Sequence, residues 1–300
     1  MNSTVFPKRQ TPSGPIDAAL AALHACPLAP CTAALEDYFA VWDGTAPEDF
    51  AKRIAALTDS HCWQALSYPD NPYPQLCIAL AQSIDAHQAQ QDCEPAYHNR
   101  AHFQDVCLAI TAFASRAPAP PASALGAPWQ LSAEDWWILL FCALAHDYGH
   151  PGTRNHTPFE LEKYAVDLTQ TFLLEQAHPL LQAKSLLADV EAVVLATEPQ
   201  CFLELTAPFR NATPTVSRQA LMGLLLVEAD LCASVLPQRG VWLGERLAKE
   251  WSTLDQALAQ MVQSPQGRKR FLQSIAFYSP YAQSFGLEEL RQQLLHTLSS

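Results

Sequence analysis

One segment of the 300-residue chain restricts the fold more than any other. Residues 136–145 read WWILLFCALA, so a helix built from them must be buried on nearly all sides. Ser132, followed three residues later by Asp135, predicts a capping-box start for this helix. The segment therefore predicts a central helix around which the rest of the chain must pack.

The end of this helix carries ionisable groups. His146 and Asp147 follow the apolar run directly, and Gly149 and Pro151 then end the helix. Burying an ionised carboxylate beside an imidazole costs several kcal/mol, on the order of the whole stability margin, unless a partner compensates. A cation is the most economical partner, so this dipeptide indicates a metal site.

Two other segments place similar groups on helices. His98 and His102 are four residues apart, so both imidazoles can point into one site. Glu228 and Asp230 interrupt the apolar residues 221–236. They lie about 160° to 200° apart on a helical wheel, so we expect one to face the core and the other to be solvated.

Each of these groups also has a structural interpretation. A single histidine on an apolar face is often a hydrogen-bonded core residue, and the His-Asp dipeptide could form a structural hydrogen bond. Asp230 could cap a helix or pair with an arginine. Three such interruptions in one helical chain favour a metal site instead.

The remaining pattern predicts an all-α fold, because helical periodicity dominates and alternating β-branched runs are missing. Residues 1–15 are expected to be a flexible lead and residues 16–300 a single helical catalytic domain. A Pro/Ala-rich loop is expected at 117–128. Helices are predicted within 16–57 and at 73–91, 98–115, 133–148, 160–176, 179–196, 216–236, 242–263 and 287–298.

Composition limits the partners and the compartment. The formal net charge of −12, without a block of Lys or Arg, argues against a nucleic-acid partner. The sequence has no stretch of ~18 apolar residues, so we expect no membrane partner. The nine scattered cysteines contain no C-x-x-C pair, which is typical of a reduced, cytoplasmic protein. The oligomeric state stays open, with a homodimer as one alternative.

Two strings in the chain carry a family resemblance. YHNRAHFQDV at 97–106 and HDYGHPGTRN at 146–155 together resemble the signature of the class I cyclic-nucleotide phosphodiesterases, within the HD superfamily of metal-dependent phosphohydrolases. VVLATE at 193–198 and ADL at 229–231 resemble two further segments of that family. The motifs keep their order, and the similarity is strongest from about Ala96 to Leu236.

The resemblance implies a site with two divalent metal ions. The first, usually zinc in that family, would be held by His102, His146, Asp147 and Asp230. Asp147 would also contact the second, usually magnesium or manganese. The resemblance further places His150, Glu175 and Thr197 around the metal-bound waters and makes His98 the proton donor to the leaving oxygen. The reaction implied is attack on a cyclic phosphodiester by a hydroxide that bridges the metals.

The resemblance weakens where the family binds the base. A glutamine three residues before a phenylalanine grips the purine in eukaryotic members, whereas Arg268 stands three before Phe271 here. Gln273 lies four residues before Phe277, which is not that spacing. Together with Tyr97, these four residues are the candidates for substrate binding.

Three functions follow as hypotheses. The leading one is hydrolysis of a small-molecule 3′,5′-cyclic nucleotide, cAMP or cGMP, to the 5′-monophosphate. The missing glutamine motivates a second, an HD-type phosphohydrolase that acts on another nucleotide or phosphodiester. The third is a non-catalytic binding protein that keeps the metals for stability.

Overall fold

The computed structural model describes residues 14–26, 29–46, 49–91, 93–117, 129–176, 184–210 and 216–299. These residues form helices without strands, which confirms the all-α prediction. The first thirteen residues, and all of the loop predicted at 117–128 except Ala117, lie outside the described part. The α-helices are α1 Pro15–His24, α2 Thr32–Phe39, α3 Phe50–Thr58, α4 His61–Ala65, α5 Tyr73–Ala89, α6 Arg100–Ser115, α7 Ala133–Ala145, α8 Glu160–Glu175, α9 Lys184–Leu195, α10 Phe202–Thr206, α11 Arg218–Cys232, α12 Arg239–Trp251, α13 Gln256–Gln263, α14 Pro265–Ser274, α15 Pro280–Ser284 and α16 Leu287–Thr297.

Helix α7 is the centre of the fold, as the apolar run predicts. Every residue from Asp135 to Ala145 is buried. The helix packs against α5, α6, α9 and α11, and the indole rings of Trp137 and Trp63 lie 4.7 Å apart between their centroids. Burial on all sides fixes the direction in which the helix presents the residues that follow it.

The start of α7 is anchored by the predicted capping box and by an ion pair. Ser132 and Asp135 exchange hydrogen bonds between side chain and backbone. Asp135 also pairs with Arg218, at the first turn of α11, and Arg218 binds Asp189 of α9 at 2.8 Å. Three core helices are therefore held together at one end, while the opposite end of α7 carries the ionisable residues.

A second buried ion pair positions α12. Arg239, the first residue of that helix, donates hydrogen bonds to both carboxylate oxygens of Asp105 on α6, at 2.7 and 3.0 Å. The same guanidinium binds Asp43 at 2.9 Å. The Asp105 side chain is 2% exposed, so removing the arginine would leave a buried carboxylate without its main partner.

Glu228 and Asp230 lie in different surroundings, as the helical wheel predicts, with Glu228 in the core and Asp230 partly exposed. Glu228 is fully buried and accepts hydrogen bonds from the hydroxyl and N–H of Ser279 and from the N–H of Tyr278. Asp230 faces a cavity, with 25% of its side chain exposed. A helical wheel separates the two faces of α11 but cannot tell that the second face is covered by the start of α15.

Helix boundaries were less predictable than helix positions. The predicted helix at 242–263 is two helices, α12 and α13, because Asp255 accepts a hydrogen bond from the N–H of Leu258 and caps a new start. Helix α14 at 265–274 was not predicted, although Ser264 and Pro265 supply an N-cap and a favourable first residue. Helices α12, α13 and α14 all line one cavity of the protein.

Within the described residues, no single helix has the length and apolar composition needed to cross a membrane. One pair of segments, 218–235 and 239–251, meets the test jointly but is bent by 99°. No disulfide joins any of the nine cysteines.

The contacts of Glu228 predict a stability effect. Glu228→Ala removes the acceptor for three buried donors, so we expect the free energy of unfolding to fall by about 2 to 3 kcal/mol. Urea denaturation followed by circular dichroism measures this change. Glu289→Ala, on the exposed face of α16, is the matched control and should stay within about 0.5 kcal/mol of the parent protein. Equal losses in the two variants would contradict the assigned role.

Candidate metal centre and active site

Four predicted metal ligands converge at the end of α7. Nε2 of His102 lies 3.1 Å from Oδ1 of Asp230 and 3.3 Å from Oδ2 of Asp147. Nε2 of His146 lies 3.1 Å from the same oxygen of Asp147 and 3.3 Å from Nε2 of His102. The residues come from α6, the end of α7 and α11, so the packing of these three helices creates the cluster.

The donor set fits a divalent cation. Nδ1 of His146 lies 3.0 Å from the carbonyl oxygen of Ala143, which makes Nδ1 the protonated nitrogen and leaves the Nε2 lone pair for a ligand bond. Ligand atoms of His102, His146 and Asp230 lie within 4.8 Å of one another. Two imidazoles with carboxylates are a set that suits zinc and other divalent ions.

The charges of this cluster are strongly coupled. Burial lowers the pKa of His102, but hydrogen bonds and charge attraction from Asp147 and Asp230 outweigh it and raise the pKa to about 10. Burial raises the pKa of Asp147, yet the adjacent His146 and His102 bring it well below its usual value. The two carboxylates therefore favour a positive charge at this position.

A second pair lies beside the cluster. Oε1 of Glu250 is 2.6 Å from Nδ1 of His98, and Oε2 accepts the backbone N–H groups of Tyr97 at 2.7 Å and His98 at 3.0 Å. Burial raises the pKa of Glu250, but its hydrogen bond to His98 and the charge of that residue outweigh it and lower the pKa. The carboxylate fixes the imidazole by Nδ1, so Nε2 is the nitrogen left for a substrate.

Sequence reasoning missed Glu250, which is 152 residues away from His98. One signal existed. Glu250 follows Leu243 by seven residues and Leu247 by three, so it lies on the inward face of α12. A buried acid on such a face requires a partner, but the sequence does not identify which.

His150 stacks on His98, with ring centroids 3.6 Å apart. Its Nδ1 accepts the backbone N–H of Gly152 at 3.1 Å, and burial together with the charge of His98 lowers its pKa to about 3. His150 is therefore neutral and supports the neighbouring ring. Gly152 has a φ of +74°, a backbone conformation that favours glycine at this close approach.

The opposite wall of the cavity is a hydrogen-bonded group of side chains. Thr197 lines the cavity and donates its hydroxyl to Val194 O at 2.8 Å. Asn155 donates to Glu162 at 2.9 Å and to Glu198 at 2.8 Å. Glu162 was not singled out by the sequence, and burial is the main cause that raises its pKa.

The structure separates Glu175 from the site, contrary to the prediction. Helix α8 continues through Glu175, whose side chain is exposed at the helix end and does not line the cavity. Glu162, in the first turn of the same helix, is the α8 carboxylate that reaches the cavity. The extent of this helix was predicted correctly, but the similarity pointed to the carboxylate at its end and not to the one in its first turn.

The predicted substrate residues lie in different environments. Tyr97 and Phe271 line the cavity that contains the metal cluster. Arg268 lines an adjoining cavity. Gln273 is exposed and lines neither cavity, and Phe277 is 2% exposed in the core, so the structure does not place these two residues at either cavity.

Two cavities therefore adjoin. The metal cavity has a volume of about 480 Å³, and the side cavity, between α12, α13 and α14, has about 1060 Å³. They share five lining residues, Tyr97, Leu247, Trp251, Phe271 and Ser274.

Comparison with solved structures identifies the fold. The phosphodiesterase domain of the rhodopsin phosphodiesterase from Salpingoeca rosetta is 16% identical, with 85% of this chain and 88% of that chain covered at a TM-score of 0.59. A second structure, the phosphodiesterase domain of the RhoPDE fusion protein from the same choanoflagellate, is 16% identical, with 86% and 90% covered at 0.57. Neither the scan against family models nor the search of curated proteins found a match. The chain thus has the all-helical fold of a phosphodiesterase domain.

The charge coupling predicts proton release on metal binding. His102 holds a proton at pH 7 because its pKa is about 10, and it must lose that proton to become a ligand. We expect Zn²⁺ to displace about one proton per site, and the apparent affinity to rise as the pH increases from 7 towards 10. Calorimetric titration in buffers of different ionisation enthalpy measures the released proton.

The matched variants for this titration are His102→Ala and His156→Ala. The first should lose both the binding and the proton release. The second changes an exposed histidine whose only hydrogen bond here comes from its backbone N–H, so it should titrate like the parent protein. An affinity that is independent of pH would contradict the assignment.

Proposed function

We propose that this chain, which has the fold of a phosphodiesterase domain, hydrolyses a 3′,5′-cyclic nucleotide to the 5′-monophosphate with the help of two divalent metal ions. The observation that carries the proposal is the meeting of four ligand side chains with the His98–Glu250 pair in one cavity. The sequence similarity around His98 and His146 supports the same activity. The cytoplasmic location and the single domain at 16–300 stay predictions.

The metal ligands account for phosphate binding. His102, His146, Asp147 and Asp230 would hold the tightly bound ion, for which zinc is the first choice, and Asp147 would also help to hold a second ion such as Mg²⁺ or Mn²⁺. Such ions, when bound, neutralise the phosphate charge and lower the pKa of a water. The attraction for phosphate thus comes from the centre, although the formal net charge of the chain is −12.

The His98–Glu250 pair accounts for departure of the leaving group. His98 donates the proton on Nε2 to the 3′ oxygen as the P–O bond breaks, and Glu250 stabilises the imidazolium before transfer. The three hydrogen bonds to the Glu250 carboxylate hold both the ring and the backbone at residues 97 and 98. His150 supports the same ring by stacking.

A second candidate function keeps the metals and changes the substrate. Gln273 is exposed, so it does not supply an amide to grip a base, and the side cavity offers room beyond a cyclic mononucleotide. This favours another nucleotide or phosphodiester as the alternative substrate. A panel of cyclic nucleotides, nucleoside monophosphates and linear phosphodiesters separates the two, because the alternative predicts little turnover of cAMP and cGMP.

Substitution of the shared ligand tests the proposal. Purified protein with Mn²⁺ or Mg²⁺ should convert cAMP or cGMP to the 5′-monophosphate, as chromatography of the products would detect. Asp147→Ala should reduce kcat by at least about a hundredfold, because it removes a ligand of both ions. His156→Ala should retain activity. Undiminished turnover in Asp147→Ala would exclude this mechanism.

The role of Glu250 predicts a dependence on the leaving group. Glu250→Gln should lower kcat for a cyclic nucleotide by about a hundredfold, because the neutral amide stabilises the imidazolium less. Bis(p-nitrophenyl) phosphate needs little protonation of its leaving group, so its hydrolysis should fall far less. Glu289→Gln is the control. Equal losses for both substrates would mean that Glu250 has a structural role only.

A further inference from the structure

The side cavity adjoins the metal cavity, and five residues line both. Tyr97, Trp251 and Phe271 line both spaces, so a ligand whose phosphate is held at the metal ligands can extend past these rings. The side cavity is lined mainly by apolar side chains of α12, α13 and α14. Its volume of about 1060 Å³ is ample for an aromatic heterocycle.

A glycine in α12 keeps this cavity open. Gly244 lies in the middle of Arg239–Trp251 and lines the side cavity, and a Cβ added there would meet no atom within 4 Å. By contrast, a Cβ on Gly240 would come within 2.2 Å of Ser234 O. A mid-helix glycine costs about 0.5 to 1 kcal/mol relative to alanine, so Gly244 is unfavourable for the helix and has no steric cause in the protein. The missing side chain leaves this part of the side cavity open.

Arg268 places a hydrogen-bond donor in the same cavity. One N–H of Nη2 donates to Leu236 O at 3.2 Å, which holds the guanidinium in position. Within the described part of the chain, the other N–H groups of the Arg268 guanidinium make no hydrogen bond. Burial lowers the pKa of Arg268, and the charge of Glu36 partly opposes this effect. The other cation that lines this cavity, Arg270, is exposed and donates to Met261 Sδ at 3.6 Å.

A guanidinium can only donate hydrogen bonds, and this restricts the base it recognises. Guanine presents two acceptors, O6 and N7, on one edge, and arginine binds them with two parallel hydrogen bonds. Adenine presents N7 beside an amino donor, which would oppose an N–H of the arginine. An amide side chain, with both a donor and an acceptor, would not discriminate in this way.

We propose that the side cavity receives the base of the substrate and that Arg268 selects guanine over adenine. The inference rests on the proposed function, since the phosphate must be held at the metal ligands. It assigns cGMP as the preferred cyclic nucleotide and makes Arg268 a specificity-determining residue.

Substitution of Arg268 tests the selection. The parent protein should hydrolyse cGMP with a kcat/KM at least about tenfold above that for cAMP, and Arg268→Gln should bring the ratio to about one or below. Arg268→Lys keeps the charge but loses the planar fork, so the ratio should also fall. Lys269→Gln makes the same charge change at the next residue, which lines neither cavity, and should keep the parent ratio. A parent ratio near one, or a ratio unchanged in folded Arg268→Gln, would overturn the proposal.

Filling the cavity tests the location of the base independently of Arg268. Gly244→Leu places a side chain in the open space, so KM for cGMP should rise about tenfold or more. Hydrolysis of bis(p-nitrophenyl) phosphate, which has no base, should change less than about twofold. Gln260→Leu, on the exposed face of α13, is the control. Equal effects of Gly244→Leu on both substrates would contradict a base in the side cavity.

Binding of uncharged nucleosides separates this inference from the proposed function. Guanosine and adenosine need no metal, so calorimetry with the metal-free protein reads the base site alone. Tighter guanosine binding that is lost in Arg268→Gln would support the inference even if neither cyclic nucleotide is hydrolysed, in which case the proposed function fails. Turnover of both cyclic nucleotides with no preference for guanosine would leave the proposed function standing and overturn the inference.

Discussion

The burial of α7 on all sides is the constraint on which the remaining structure depends. A helix with no solvated face places the residues that follow it deep in the protein, where His146 is 2% and Asp147 17% exposed, so both need partners there. His102 on α6 and Asp230 on α11 supply them, because those two helices pack directly against α7. Packing of apolar surfaces thus assembles a charged cluster that would be unfavourable to bury in any one helix alone.

Helix α12 contacts the candidate metal centre, His98 and the side cavity. Its first residue, Arg239, is hydrogen-bonded to Asp105, one turn of α6 beyond the candidate ligand His102. Near its end it supplies Glu250, which holds His98. Gly244 lies between them and opens the side cavity. One helix therefore sets the distance between the candidate metal ligands, the proposed proton donor and the side cavity.

Under the proposed function, the metal cavity would hold the reacting phosphate and the side cavity would select the base. The metal cavity contains clustered imidazoles and carboxylates, whose opposite charges and hydrogen bonds offset the cost of burying them. The side cavity is mainly apolar, with a guanidinium tethered to a backbone carbonyl. Changes in the second cavity can therefore alter which ligand binds while the reacting groups keep their positions.

The sequence by itself determined the elements with strong local signals. It predicted the buried helix, its capping box, the helical class and the four residues that converge as candidate ligands, because apolar periodicity, caps and short motifs depend on near neighbours. Tertiary structure alone decided the partner of His98, since Glu250 is 152 residues away and belongs to no motif. It also decided that Glu228 is buried, that Glu175 and Gln273 are exposed, and that Arg268 lines a cavity. A helical wheel gives the direction of a side chain, but only packing decides whether water, another helix or a cavity lies there.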